Sequence, residues 1–167
     1  MRTRRILIFL AILVTSTGFD QASKEWARET LVPGHPQPVI SGVWDWQLAK
    51  NPGAAFSMFA DGGDHTAAHV LFGGIAAIAL IALGIAAART RPEQRVLRAA
   101  YALIAGGALG NLIDRIANGD VTDFVACHWR GHYWPIFNVA DVALVVGVGL
   151  LVVENLARRW PRRRLQT

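Results

Sequence analysis

The chain has 167 residues, of which 53% are hydrophobic and only 17% are charged, and its mean hydropathy is +0.31. This composition excludes an ordinary soluble domain and indicates a membrane protein. The net charge of +5 does not indicate nucleic-acid binding, because the arginines lie where membrane topology and anionic lipid head groups favour them.

Four apolar windows without charged residues follow one another along the chain. They are 6–19, 67–88, 99–113 and 142–153, and only the second, with 22 residues, crosses a hydrocarbon core of about 30 Å unaided. The other three must include polar residues at one end. We therefore predict spans over about 6–25, 67–88, 97–114 and 138–156, in a single domain covering 1–167, with outer loops over about 26–66 and 115–137.

The first window has two interpretations. Arg2, Arg4 and Arg5 precede its apolar residues, as they would in a cleavable signal peptide. However, the sequence VTSTGFD that ends the window lacks a clear A-x-A cleavage site, and further membrane segments follow it. A retained first helix is therefore the preferred interpretation.

Basic residues predict the orientation of the spans. They precede the first span, separate the second from the third and follow the fourth, and these three groups hold 12 of the 17 Lys and Arg residues. By the positive-inside rule, both termini are predicted to be cytoplasmic. The polar ends of the spans then face outward.

The outer loops contain strand-like segments and aromatic residues. Residues 38–51 alternate apolar and polar side chains, which predicts a hairpin turning at Ser41 and Gly42, and a second strand is predicted at 121–125. The segment NPGAAFSMFA after the hairpin is interpreted either as a short surface helix acting as a lid or as an inert loop. An interfacial aromatic belt is predicted from Trp44, Trp46, Trp129, Tyr133 and Trp134.

Polar residues at the outer ends of the spans form a repeated pattern. Asn111 and Asp114 share a helix face, and Asn138 and Asp141 repeat their spacing. For Asp114, either an ion pair with Arg115 or a direct functional role explains the cost of a carboxylate beside the membrane.

Asp123 and Asp141 have no basic neighbour close in sequence. If the segment between them folds back, the two carboxyl groups meet and share a proton, which suits activation of water against an amide. Simple capping of a helix by Asp141 is the competing interpretation. No HExxH or GxSxG motif is present to support a zinc peptidase or a serine hydrolase.

Five sequence blocks occur in the order typical of one family. They are DQASK (20–24), NPGAAF (51–56), GGALGNLIDR (106–115), VTDF (121–124) and FNVAD (137–141). With these blocks the chain resembles the bacterial lipoprotein signal peptidases, also called signal peptidase II.

The resemblance implies an aspartic endopeptidase without a cofactor, which cuts a diacylglyceryl-modified prolipoprotein just before its lipidated cysteine. Its catalytic pair falls on Asp123 and Asp141. The supporting or substrate-binding residues would be Asn111, Arg115, Asn138, Asn51, Asp20, Lys24 and Asp114. Val142 stands where a hydroxyl residue is common in the family, so one secondary hydrogen bond is not expected here.

The implied fold is an all-α membrane protein with four transmembrane helices, a small extracytoplasmic β-cradle and a short surface helix. The resemblance places a monomer among the lipids of the bacterial cytoplasmic membrane, with its active site at the outer face. A small transporter or proton-relay protein is the alternative, because such proteins also carry membrane-edge carboxylates. Its ionisable groups should be spread through the bilayer, whereas here they collect at one face.

Overall fold

The computed structural model describes residues 2–52 and 65–159, with side chains at 3–52 and 73–158. Within these ranges the element order is α1 (Arg2–Thr30), β1 (Gln37–Ile40), β2 (Trp44–Asn51), α2 (His65–Arg89), α3 (Arg95–Asn118), β3 (Val121–Trp129), β4 (His132–Tyr133) and α4 (Val139–Arg159). The protein is therefore mostly helical with a small sheet. The predicted surface helix or lid falls on residues 53–64, outside the described residues.

Among the described residues, three helices are long and apolar enough to cross a membrane. They are Thr3–Thr30, Arg95–Asn118 and Val139–Arg158, which correspond to the first, third and fourth predicted spans. In α2 the side chains are described only from Gly73, and the apolar part Gly73–Arg89 is shorter. Large apolar side chains such as Phe19 and Val145 are 66% and 72% exposed, as expected for surfaces that contact lipid.

Helix α3 packs against the other three helices. Glycines allow the close approach: a Cβ added at Gly107 would collide with the carbonyl oxygen of Ala140, and one at Gly147 would lie 2.9 Å from the carbonyl oxygen of Ala100. Small residues thus bring the backbones of α3 and α4 into contact, which is how membrane helices associate where the hydrophobic effect is weak.

The four strands form one antiparallel sheet in the order β1-β2-β3-β4. The predicted hairpin is confirmed, and Gly42 adopts a φ of 77° in its turn, a conformation that glycine allows without strain. Strand β3 extends past the predicted 121–125 because it pairs with the whole of β2, from Asn51 opposite Val121 to Trp44 opposite Cys127. This register places the end of β2 beside the start of β3.

An aromatic cluster joins α1 to the sheet. The rings of Trp26 and Trp46 lie 5.1 Å apart edge to face, and Phe124 packs against both. Trp44 and Trp46 of the predicted belt are partly exposed and pack against each other at 4.7 Å. The other three members, Trp129, Tyr133 and Trp134, are 61%, 77% and 71% exposed.

Candidate active site

The chain folds back between β3 and α4, as the hypothesis of a carboxylate pair requires. The backbone N–H groups of Phe124 and Val125 both donate to the carbonyl oxygen of Phe137, at 3.1 and 2.9 Å. Asp123 lies in β3 and Asp141 lies in the first turn of α4, so this pairing brings their backbones to the same end of the helix bundle.

Asn138 contacts both carboxyl groups. Its side-chain Nδ2 donates to Asp123 Oδ1 at 2.7 Å, and its backbone N–H donates to Asp141 Oδ2 at 3.2 Å. The backbone N–H of Asp141 donates in return to Asn138 Oδ1 at 3.1 Å. Asp141 therefore caps the start of α4 as the competing interpretation expected, and Asn138 links this cap to Asp123 through its side-chain amide.

Asp123 is 2% exposed and accepts a second hydrogen bond from Asn51 Nδ2 at 2.9 Å. Burial raises the pKa of Asp123 to about 6, and the negative charge of Asp141 raises it as well, while the hydrogen bonds from Asn51 and Asn138 lower it. The protonated form of this carboxyl group is therefore available close to neutral pH.

Asn111 holds the other carboxyl group. Its Nδ2 donates to Asp141 Oδ1 at 3.0 Å, while its Oδ1 accepts from Lys24 Nζ at 2.8 Å and from Asn138 Nδ2 at 3.1 Å. With two donors on its oxygen, the amide of Asn111 is oriented so that its NH₂ group points to Asp141.

A buried cluster of charged residues, Asp20, Lys24 and Asp114, contacts Asn111 through Lys24. Lys24 Nζ lies 2.9 Å from Asp20 Oδ2 and 3.5 Å from Asp114 Oδ2, and all three side chains are at most 1% exposed. Asp20 also accepts the backbone N–H of Ala140 at 2.8 Å, and Asp114 accepts that of Thr122 at 2.8 Å. The cluster thereby attaches α1 and α3 to the starts of α4 and β3.

The ion pair between Asp114 and Arg115, one of the two interpretations of Asp114, is not formed among the described side chains. Within the described residues, Asp114 pairs with Lys24 and with Arg28 Nη1, which lies 3.4 Å from its Oδ1. Arg115 instead donates from Nη1 to the backbone oxygen of Asn111 at 3.2 Å, and it is partly exposed. Neighbouring residues on a helix point about 100° apart, so adjacency in sequence does not favour this pair.

Sequence reasoning missed Arg28, which also donates to Thr122 Oγ1 at 2.9 Å. A signal was present, because Asp20, Lys24 and Arg28 are spaced by four residues and share one face of α1. Gln21 was missed as well, and it donates to Asp20 at 3.1 Å and to the carbonyl oxygen of Gly110 at 3.0 Å.

An apolar groove of about 280 Å³ opens beside Asp141. It is lined by Trp134, Phe137, Asp141, Val142, Val145 and Val146. A second apolar groove of about 510 Å³, between α1 and α4, shares Val142 and Val146 with it. The partly exposed Asp141 thus faces the apolar surface of the bundle, while Asp123 is more deeply buried.

Among the described side chains, no group of three or more His, Cys, Asp and Glu residues is placed to hold a metal ion. His128 Nε2 lies 2.9 Å from Asp45 Oδ2, across the sheet from β3 to β2. Asp123 is buried and Asp141 is partly exposed, and both carboxyl groups are held by amide side chains. This arrangement is suited to proton transfer.

Comparison with known proteins identifies the family. The model of the family described as signal peptidase (SPase) II matches residues 10–157. The chain belongs to the signal peptidase II family. This is a family of peptidases, and the matched range includes every predicted site residue.

Relatives of known name and structure agree with the signal peptidase II family. The chain is 40% identical to a lipoprotein signal peptidase of Geobacter sulfurreducens over 94% of its own length and 95% of that protein. It is 44% identical to one of Xylella fastidiosa, over 87% of each chain. A solved bacterial membrane enzyme superposes with a TM-score of 0.79 at 31% identity, covering 96% of this chain and 94% of that one. The transporter alternative is therefore not retained.

Proposed function

We propose that this signal peptidase II removes the signal peptide from diacylglyceryl-modified prolipoproteins, just before the lipidated cysteine, with Asp123 and Asp141 as its catalytic pair. The observation that carries this assignment is Asn138, a fully buried residue that contacts both carboxyl groups. The relatives named lipoprotein signal peptidase support the choice of substrate.

The two carboxyl groups have different environments and so take different roles. Asp141, partly exposed beside the groove, acts as the general base and takes a proton from water as the water oxygen bonds to the scissile carbonyl carbon. Asp123, whose pKa is raised to about 6 by burial, donates its proton to the carbonyl oxygen. The tetrahedral intermediate then collapses: its C–N bond breaks, Asp141 returns its proton to the leaving amine, and Asp123 recovers its own.

The surrounding polar residues hold the pair in position. Asn51, Asn138 and Asn111 donate to the carboxylate oxygens and restrict their orientation. Arg115 is partly exposed and donates to the backbone oxygen of Asn111, whose side chain holds Asp141, so its remaining N–H groups can contact the substrate backbone. The buried cluster of Asp20, Lys24 and Asp114 positions the elements that carry these groups.

The proposed enzyme is a monomer with four transmembrane helices in the bacterial cytoplasmic membrane. The 25 residues of α2 are enough to form the second predicted span, which completes the four. Both termini are cytoplasmic because the basic residues cluster at that side. The catalytic pair then lies at the outer face, where the acyl chains of the substrate extend along the apolar grooves and confine its scissile bond.

The test is cleavage by the purified enzyme of a lipidated prolipoprotein peptide and of its unlipidated counterpart. Asp123→Asn and Asp141→Asn should each reduce cleavage by about 10²–10⁴-fold, the usual contribution of a general acid or base. Asp120→Asn is the matched control, because Asp120 pairs with Lys50 outside the site, and it should retain activity. Circular dichroism and thermal unfolding establish that each variant folds.

Two results would contradict the proposal. Wild-type activity in a folded Asp123→Asn or Asp141→Asn variant would rule out a catalytic role for the carboxylate pair. Equal cleavage of lipidated and unlipidated peptide would rule out selectivity for lipid-modified prolipoproteins.

A further inference from the structure

Four arginines surround a small pocket at the end of the bundle away from the catalytic pair. The pocket has a volume of about 180 Å³ and is lined by Arg4, Arg5, Ile8, Pro92, Arg95 and Arg98. On α1, Arg5 is separated by 23 residues from Arg28, which contacts Asp114 of the buried cluster, a distance of about 35 Å along a helix. The pocket and the proposed active site therefore lie at opposite faces of a membrane.

Two arginines of this pocket, Arg5 and Arg98, donate to neutral acceptors among the described residues. Arg98 is 2% exposed; its Nε donates to Thr90 Oγ1 at 3.2 Å and its Nη2 donates to the carbonyl oxygen of Arg91 at 3.1 Å. Arg5 donates from Nη1 to the carbonyl oxygen of Thr90, and its buried Nε has no partner. Among the described side chains, no acidic group forms an ion pair with any of the four arginines. A buried guanidinium without a counter-charge is costly, so binding of an anion in the pocket would be favourable.

Two helix N-termini add to the positive potential of the pocket. Helices α1 and α3 both begin beside it, and neither has an acidic residue in its first turn. The N-cap residue of α3, Gln94, forms no side-chain capping hydrogen bond. Arginines at helix N-termini are unfavourable to the helix dipole, whereas an anion bound there is stabilised by it.

We propose that this pocket binds a phosphate group, presented by the head group of an anionic phospholipid in the leaflet opposite the active site. The guanidinium groups of Arg5 and Arg98 donate to the phosphate oxygens, because the planar fork of arginine matches phosphate geometry. Exposed Arg4 and Arg95 contact the rest of the head group. The apolar outer side of Ile8 then lies against the acyl chains, as expected for a basic pocket between membrane helices.

The test is lipid binding by the full-length protein, read by native mass spectrometry and by the shift in thermal unfolding temperature. Phosphatidylglycerol should bind and raise the unfolding temperature, phosphatidylcholine should not, and added salt should weaken the effect. Arg5→Gln and Arg4→Gln should each weaken phosphatidylglycerol binding about fivefold. Substitution of the buried Arg98 could unfold the protein, so the test uses the Arg4 and Arg5 variants.

Arg158→Gln is the matched control, since Arg158 lies near the end of α4 and pairs with Glu154 at 2.7 Å. It should bind phosphatidylglycerol as the wild type does. Wild-type binding by Arg4→Gln and Arg5→Gln, or an equal loss in Arg158→Gln, would overturn the site. If inorganic phosphate gives the same stabilisation as phosphatidylglycerol, the pocket takes a soluble phosphate compound and the lipid assignment is wrong.

Discussion

Replacing Lys24 by methionine tests whether the buried charged cluster holds the site together. The substitution keeps most of the side-chain volume but removes the ammonium group that contacts Asp20 at 2.9 Å, Asp114 at 3.5 Å and Asn111 Oδ1 at 2.8 Å. Two carboxylates that are at most 1% exposed lose their shared positive partner. Breaking a buried ion pair in this way costs about 3–5 kcal/mol, so Lys24→Met should lower the free energy of unfolding by that amount.

The measurement is equilibrium unfolding by denaturant in mixed micelles. Lys50→Met is the matched control, because Lys50 is 77% exposed and lies 3.6 Å from Asp120. An exposed pair of this kind contributes about 0–1 kcal/mol, so the same substitution should have little effect there. The double variant Asp20→Asn/Lys24→Met should be less destabilised than the sum of its single variants. If Lys24→Met remains within about 1 kcal/mol of the wild type, the cluster does not have the energetic role assigned to it.

The remaining predictions concern proton transfer and helix packing. Because protonated Asp123 is the proposed acid, kcat/KM should fall as the pH rises through about 6, and a profile without this alkaline limb would contradict the role. Asn51→Leu removes a hydrogen bond that lowers this pKa, so it should move the same limb to higher pH, and an unchanged or lowered limb would count against the assignment. Gly110→Ala places a Cβ against the Asp20 carboxylate and should destabilise the protein by about 1–3 kcal/mol, whereas Gly84→Ala, with no atom within 4 Å, should not; thermal unfolding of the pair distinguishes them.

Properties that depend on composition and local pattern were accessible from the sequence. Apolar windows indicated the membrane class, and three of the four expected spans correspond to helices that meet the length and composition of a span. The alternation in residues 38–51 and the glycine at position 42 predicted the hairpin. The five sequence blocks identified the family because the combination of their residue types and spacings is specific to it.

Properties that depend on which surfaces meet were decided only by the tertiary structure. Asp114 is adjacent to Arg115 but pairs with Lys24 and Arg28, because α3 turns its buried face toward α1. Trp is a residue type typical of the membrane interface. The contact of Trp46 with Trp26 was not predictable, because it depends on the sheet docking against the end of α1.

The contact of Asn138 with both carboxyl groups also depends on the tertiary structure. Its spacing from Asp141 is local and visible in the sequence, since the two residues cap the start of α4. Its bond to Asp123 connects the start of α4 to β3, and it forms because β3 pairs with Phe137, the residue before Asn138. Sequence determines which polar groups border the membrane. Only packing determines which of them form hydrogen bonds or ion pairs, because these contacts act over a few ångströms between elements that lie far apart in the chain order.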